Sequence, residues 1–257
     1  MRLLNRGPWL VLLAALLAAA LTARLGVWQL DRAGQKLALQ ARIDGRAAMP
    51  PLPAAELARS AATAGEQHYR HTLLRGQWLA RHTVFLDNRQ MNGRPGFYVL
   101  TPLLLADGDA VLVQRGWVPR HPHDRSALPP LATPAGPVLV AGRIAPPPAK
   151  LFELGAADSG RIRQNVDLDA FAREAGIALR PLSLQQTEAG PAWGAPASSS
   201  SHSSTPSSAA NDGLLRQWPV VAVDVGKHHG YAFQWFALCA LITGLYVWFQ
   251  ILRPRRR

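Results

Sequence analysis

Two adjacent imidazoles stand in Lys227-His228-His229-Gly230, directly before the longest uncharged run of the chain. A neutral imidazole offers a ring lone pair and is a common ligand of haem iron. At that depth such a ring can meet a hydrophobic macrocycle lying at a membrane surface, with Tyr231 and Trp235 as aromatic contacts beside it. The same residues also suit interfacial anchoring, in which the histidines merely cap the apolar run. On residue types alone, anchoring is the simpler reading.

Other chemistry is sparse. His68-x-x-His71 and His121-x-His123 are close pairs, but neither has a Cys or Glu completing a zinc set, so they read as solvated loop or edge histidines. The signatures GxSxG, HExxH, GxGxxG and the P-loop are missing. The serines cluster in a low-complexity stretch that offers no rigid scaffold for a nucleophile. The expectation is therefore a chain without catalytic residues. A single cysteine, Cys239, excludes intramolecular disulfides, CxxC zinc sites and CxxCH haem attachment.

The elements that must hold the histidines begin with two apolar segments. Tyr231–Leu252 carries no formal charge over 22 residues, about 33 Å as a helix and enough to cross a bilayer core. Trp235 lies near one end, Tyr246 and Trp248 near the other, and Arg253-Pro-Arg-Arg-Arg257 follows. Pro8–Ala23 is also uncharged, and Arg24 interrupts it before Leu25-Gly-Val-Trp-Gln-Leu30 resumes. Either Arg24 snorkels and the span is 8–28, or Ala18-Ala19-Ala20 marks the cleavage site of a signal peptide. Both readings export the long segment between the two apolar runs.

The net charge is +12, and Arg2, Arg6, Arg253, Arg255, Arg256 and Arg257 hold much of it at the edges of the two spans. The remainder is a moderate excess with no basic–aromatic module, so nucleic acid is not an expected partner. The expected organisation is residues 1–7 cytoplasmic, 8–28 membrane helix, 29–230 periplasmic, 231–252 membrane helix and 253–257 a cytoplasmic basic tail. The fold class is a two-span membrane protein with a mainly β (α+β) exported domain.

Within that domain the pattern predicts a helix from Gln29 to about Arg46, ended by the Pro/Ala stretch Met49–Pro53. Alternation predicts strands at His71–Leu79 and His82–Asp87, paired as a hairpin, then at Phe97–Thr101, Ala110–Gln114, Pro137–Ile144 and Arg180–Gln185. Asn92-Gly93 and Asp107-Gly108 predict turns, and Arg115-Gly-Trp117 reads as a strand running into a turn. Asp167 to Gly176 predicts a short helix with Asp167 as its cap and Gly176 as its stop. Residues 189–213, rich in Ser, Ala and Pro, read as a disordered insert within the exported domain.

Five segments, in order, carry a resemblance: Leu25-Gly-Val-Trp-Gln-Leu-Asp-Arg32; Tyr69-Arg70 with Arg75-Gly76; Gly96-Phe-Tyr-Val-Leu-Thr-Pro102; Val111-Leu-Val-Gln-Arg-Gly-Trp-Val-Pro119; and His228-His-Gly-Tyr-Ala-Phe-Gln-Trp-Phe236. From Leu25 to about Phe249, apart from the serine-rich insert, the chain resembles the surfeit locus protein family, assembly factors of cytochrome c oxidase. The resemblance implies an uncleaved first helix in a bacterial inner membrane, both termini cytoplasmic and the central domain periplasmic. It implies a non-enzymatic, chaperone-like role in the biogenesis of respiratory chain complex IV. That role is haem A delivery or formation of the haem a3–copper centre in subunit I. Implied partners are cytochrome c oxidase subunit I, haem A synthase and membrane lipid.

The implied cofactor is transiently bound haem A, with His228 as the iron ligand and His229, Tyr231, Trp235 and Arg115 around it. The extra histidine, His229, leaves the ligand open between the two. Gln114 stands where the family commonly has Asn, and Gln234 where it has Thr. Arg70, Arg75 and Arg115 either face haem propionates or make ordinary ion pairs on the sheet surface. The alternative role is a scaffold that binds oxidase assembly intermediates without carrying haem.

Overall fold

The computed structural model describes residues 7–152, 160–187, 212–218 and 225–253. They fall into two units, residues 1–43 with 221–257 and residues 44–220.

The first unit is a pair of helices. Helix α1 runs unbroken over Gly7–Ala47, so the first apolar segment and the helix predicted from Gln29 are one element. Helix α4 covers Val225–Val247 and continues as a π-helical turn, Trp248–Leu252. Both are long and apolar enough to cross a membrane. The less exposed positions of α4 step by three and four residues: Val225, His228, Ala232, Trp235, Cys239, Ile242 and Tyr246. On α1 the same step picks out Leu12, Ala15, Ala19, Thr22, Gly26, Gln29 and Ala33. That spacing marks the seam along which the two helices face each other. At Gly26 an added Cβ would sit 2.8 Å from the Phe236 ring. The Cys239 thiol donates to the Ala19 carbonyl at 3.4 Å, so the helices run antiparallel.

The second unit is a seven-stranded mixed sheet: β1 (His71–Trp78), β2 (Val84–Met91), β3 (Arg94–Leu105), β4 (Ala110–Pro119), β5 (Pro137–Ala145), β6 (Ile162–Arg163) and β7 (Leu179–Gln186). Two short helices, α2 (Ala61–Gln67) and α3 (Leu168–Ala175), accompany it. The strand order is β1-β5-β7-β4-β3-β2-β6, and β1 also pairs with β3, so five of the strands close a circuit. Inside it Leu74, Trp78, Leu103, Val113, Val140 and Leu184 belong to one buried cluster. Leu168 and Phe171 of α3 cover a second cluster with Leu86, Leu100 and Leu112.

The expected β1–β2 hairpin does not form. The two strands share one edge of β3: Arg94–Leu100 pair with β2 and Leu103–Leu105 with β1. Twelve residues make β3 long enough to take two neighbours in succession. The Asn92-Gly93 turn is present, with φ of 51° and 74°, the paired left-handed geometry of a two-residue hairpin. Asp167 caps α3 by accepting from the Ala170 N–H, and left-handed Gly176 ends it.

Two expected boundaries move. Arg115-Gly-Trp117 lies inside β4, which runs on to Pro119. Of the expected insert, 189–211 lies outside the described residues. Asp212 and Gly213 lie within them, and Asp212 is firmly placed: its side chain is 5% exposed and ion-paired. Leu215 just beyond pairs with Trp117, so packing partners of β4 begin directly after the serine-rich run.

Candidate functional site

The chain enters α4 at Val225, which puts Lys227-His228-His229-Gly230 inside the first two turns of the helix rather than before it. Helical spacing then separates residues that are neighbours in sequence. His228 and Trp235, seven residues apart, share the seam with α1, while His229 and Tyr231 turn outward, Tyr231 with 51% of its surface exposed. The His228 ring is half-buried, and its Nδ1 lies 2.8 Å from the side-chain oxygen of Gln29 on α1. An amide oxygen can only accept, so this contact is a hydrogen bond in the tautomer that protonates Nδ1 and keeps the lone pair on Nε2. An imidazole with one ring nitrogen hydrogen-bonded is the kind of donor that can ligate a haem iron. His229 has no such anchor in the seam.

Arg115 belongs to the other unit. In the β3–β4 ladder Val99 faces Gly116 and Leu100 faces Gln114, so Arg115 is the extra residue of a bulge. Its side chain is 1% exposed. The guanidinium donates to Thr133 Oγ1 at 2.7 Å, the Ala132 carbonyl at 2.8 Å and Asp212 at 3.2 Å, and lies 4.8 Å from the centre of the Trp78 ring. Burial lowers its pKa, and the charge of Asp212 opposes that shift. The surface ion-pair reading of Arg115 is corrected in its location: it is an interior cation paired with its own carboxylate. Arg70 donates to the Pro50 carbonyl at 3.0 Å, and Arg75 is exposed. Gln114 is buried and donates to Ser183 Oγ at 2.8 Å. Among the described residues no group of three or more His, Cys, Asp or Glu side chains is arranged to hold a metal ion.

Sequence reasoning missed Gln29 and Asp212. Gln29 was visible as part of Leu25–Arg32, and its place in the three-and-four stepping of α1 was a signal that it faces a partner helix. Nothing local pointed from Asp212 to Arg115, 97 positions away.

Known proteins bear on this arrangement. A family model, described as SURF1 family, matches residues 16–240. The chain belongs to the SURF1 family. The matched stretch includes Gln29, His228 and all five segments that carried the resemblance. Among curated relatives, the cytochrome oxidase assembly protein SHY1 of Saccharomyces cerevisiae is 30% identical over 95 residues, 37% of this chain and 24% of that protein. A SURF1-like protein of Dictyostelium discoideum is 29% identical over 111 residues, 41% of each chain. One of Rickettsia felis is 28% identical over 107 residues, 41% of this chain and 45% of that one. The aligned stretch thus spans less than half the length of each of these SURF1-family relatives.

Proposed function

We propose that this chain is a membrane-anchored assembly factor for cytochrome c oxidase that holds haem A as cargo on its helix pair. Haem A reaches it from haem A synthase and leaves it for subunit I, with His228 as the axial ligand of the iron. The observation that carries the reading is the His228–Gln29 contact, in which Nδ1 is the ring nitrogen engaged, and this supports Nε2 as the one offered to iron. Family membership and the SHY1 name support the oxidase context. Trp235, two turns along the same face, is the aromatic partner of the macrocycle, and Tyr231 and His229 border the site from the outward faces. Arg115 has no part in it, because its guanidinium is engaged inside the β unit. Held by one side-chain ligand, haem A would be cargo that can be released.

The reading places both helices across a bacterial inner membrane, with the β unit on the periplasmic side and both ends cytoplasmic. The arginines at the outer edges of the two spans favour that orientation. The test is the absorption spectrum of full-length protein purified from cells that make haem A. A Soret band is expected in the parent and in His229→Ala, and its loss in His228→Ala. An unchanged band in His228→Ala overturns His228 as the ligand. A haem-free parent that still co-purifies with oxidase subunits overturns the cargo role in favour of a scaffold.

A further inference from the structure

The seam of the helix pair contains a carboxamide whose position has a chemical consequence. Thr22 spends its hydroxyl within α1, on the carbonyls of Ala18 and Ala19 at 2.9 and 3.0 Å. Gln29, two seam steps further, instead reaches across to His228 on α4. Its neighbours on the seam are Gly26, against the Phe236 ring, and fully buried Ala33. These small residues leave room for the longer amide at 29. We propose that Gln29 is the positioning residue of His228, fixing the tautomer and ring orientation in which Nε2 can take iron.

The argument is one of proton placement. Neutral histidine in water favours the proton on Nε2, which leaves the lone pair on Nδ1, beside Cβ and crowded for a flat macrocycle. Which ring nitrogen carries the proton in a protein is set by the hydrogen bond the other makes. The Gln29 oxygen accepts from Nδ1–H and so inverts the solution preference. A neutral amide also withholds the extra electron density that a carboxylate in its place would push into the ring, keeping the iron bond weak enough for hand-over. Gln29 and His228 are 199 positions apart. The first and last of the five segments therefore act as one device.

This inference rests on the haem-ligand reading, but its first test needs no haem. Full-length protein labelled with 15N-histidine, haem-free in detergent at a pH where histidine is neutral, reports its tautomers through two-bond 15N–1H correlations. The His228 signals are those lost in His228→Ala. The expected result is a proton on Nδ1 in the parent and in Gln29→Glu, and a majority on Nε2 in Gln29→Met, which keeps length but offers only a weak thioether acceptor. With haem A added, Gln29→Met should bind about 10- to 100-fold more weakly. Gln29→Glu should keep binding, with a lower midpoint potential than the parent. A parent His228 protonated on Nε2 overturns the proposal whatever the variants do, and so does a Gln29→Met protein with the parental tautomer. Should His228→Ala keep the Soret band while the tautomer results hold, the ligand reading fails and the positioning contact stands.

Discussion

Arg115 and Asp212 bury opposite charges together, with side chains 1% and 5% exposed, and Arg216 adds a second cation 2.6 Å from the same carboxylate. Such a pair contributes little over an apolar isostere, but removing one partner strands the other in a medium that solvates it poorly. Asp212→Ala leaves the buried Arg115 guanidinium without its counter-charge, so it should destabilise the β unit by about 3–5 kcal/mol. Lys150 and Asp167 pair at 2.9 Å with side chains 63% and 52% exposed, so Lys150→Ala should cost under about 1 kcal/mol. Urea denaturation of the full chain, followed by tryptophan fluorescence, checks both; equal effects would show that Asp212 is solvated in solution. At this scale the sequence was legible in residue type and opaque in partnership. His228 stood out because histidine beside an apolar run is uncommon. The Asp212 contact of Arg115 joins distant positions and leaves no periodic trace, while the three-and-four stepping of α1 marks Gln29 as facing a partner helix without naming His228 as what it meets.

Among the elements, the entry to β1 carries a pH dependence set by two half-buried histidines. His68 and His71 lie where α2 hands over to β1, and Tyr69 between them has a left-handed φ of 73°. Burial, and then Arg46 for His68 and Arg143 for His71, hold both imidazoles below their ordinary 6.5. His82, beside Arg81 and Glu174, is lowered too but is more exposed. A histidine whose pKa falls on folding contributes stability that is complete above the unfolded value and is lost as pH falls through the folded one. Asp167 and Glu174, held below their ordinary values of 3.8 and 4.5 mainly by hydrogen bonds from Lys150 and Arg163, lose their contribution only at more acidic pH. The urea midpoint should therefore be lower at pH 5.5 than at pH 7.5, and His68→Asn with His71→Asn should flatten that difference. Equal midpoints in the parent would overturn the burial account. Strand and helix positions here were legible because alternation, caps and turn residues are local signals: Asp167, Gly176 and Asn92-Gly93 each do what their chemistry predicts. The β1–β2 hairpin was misread because nearness in sequence usually means pairing. Here a twelve-residue β3 offers one edge to both strands.

For the whole molecule, two apolar helices around a β-rich segment could be read from hydropathy and charge. The closing of the sheet could not, since it depends on β1 meeting β3 through Gly76–Trp78 alone. Gly76 shows the constraint: an added Cβ would lie 2.4 Å from the Leu104 carbonyl oxygen, and backbone cannot yield as a side chain does. The single native cysteine makes the orientation of the chain in a membrane accessible to labelling. In a Cys239→Ser background, Ser126→Cys places a thiol at an exposed position of the β unit, and Arg255→Cys places one beyond the second span. Arg2 and Arg6 precede the first span and four arginines follow the second, while the long segment between them is of a length that crosses largely regardless of its charge. A membrane-impermeant maleimide applied to cells with a permeabilised outer membrane should therefore label Ser126→Cys at once, and Arg255→Cys after lysis only. The reverse pattern would put the β unit in the cytoplasm, and the arginines would then have been drawn across the membrane against the bias that ordinarily fixes topology. His228, in the first turn of α4, would then open toward the cytoplasm, away from the periplasmic face where the proposed hand-over takes place.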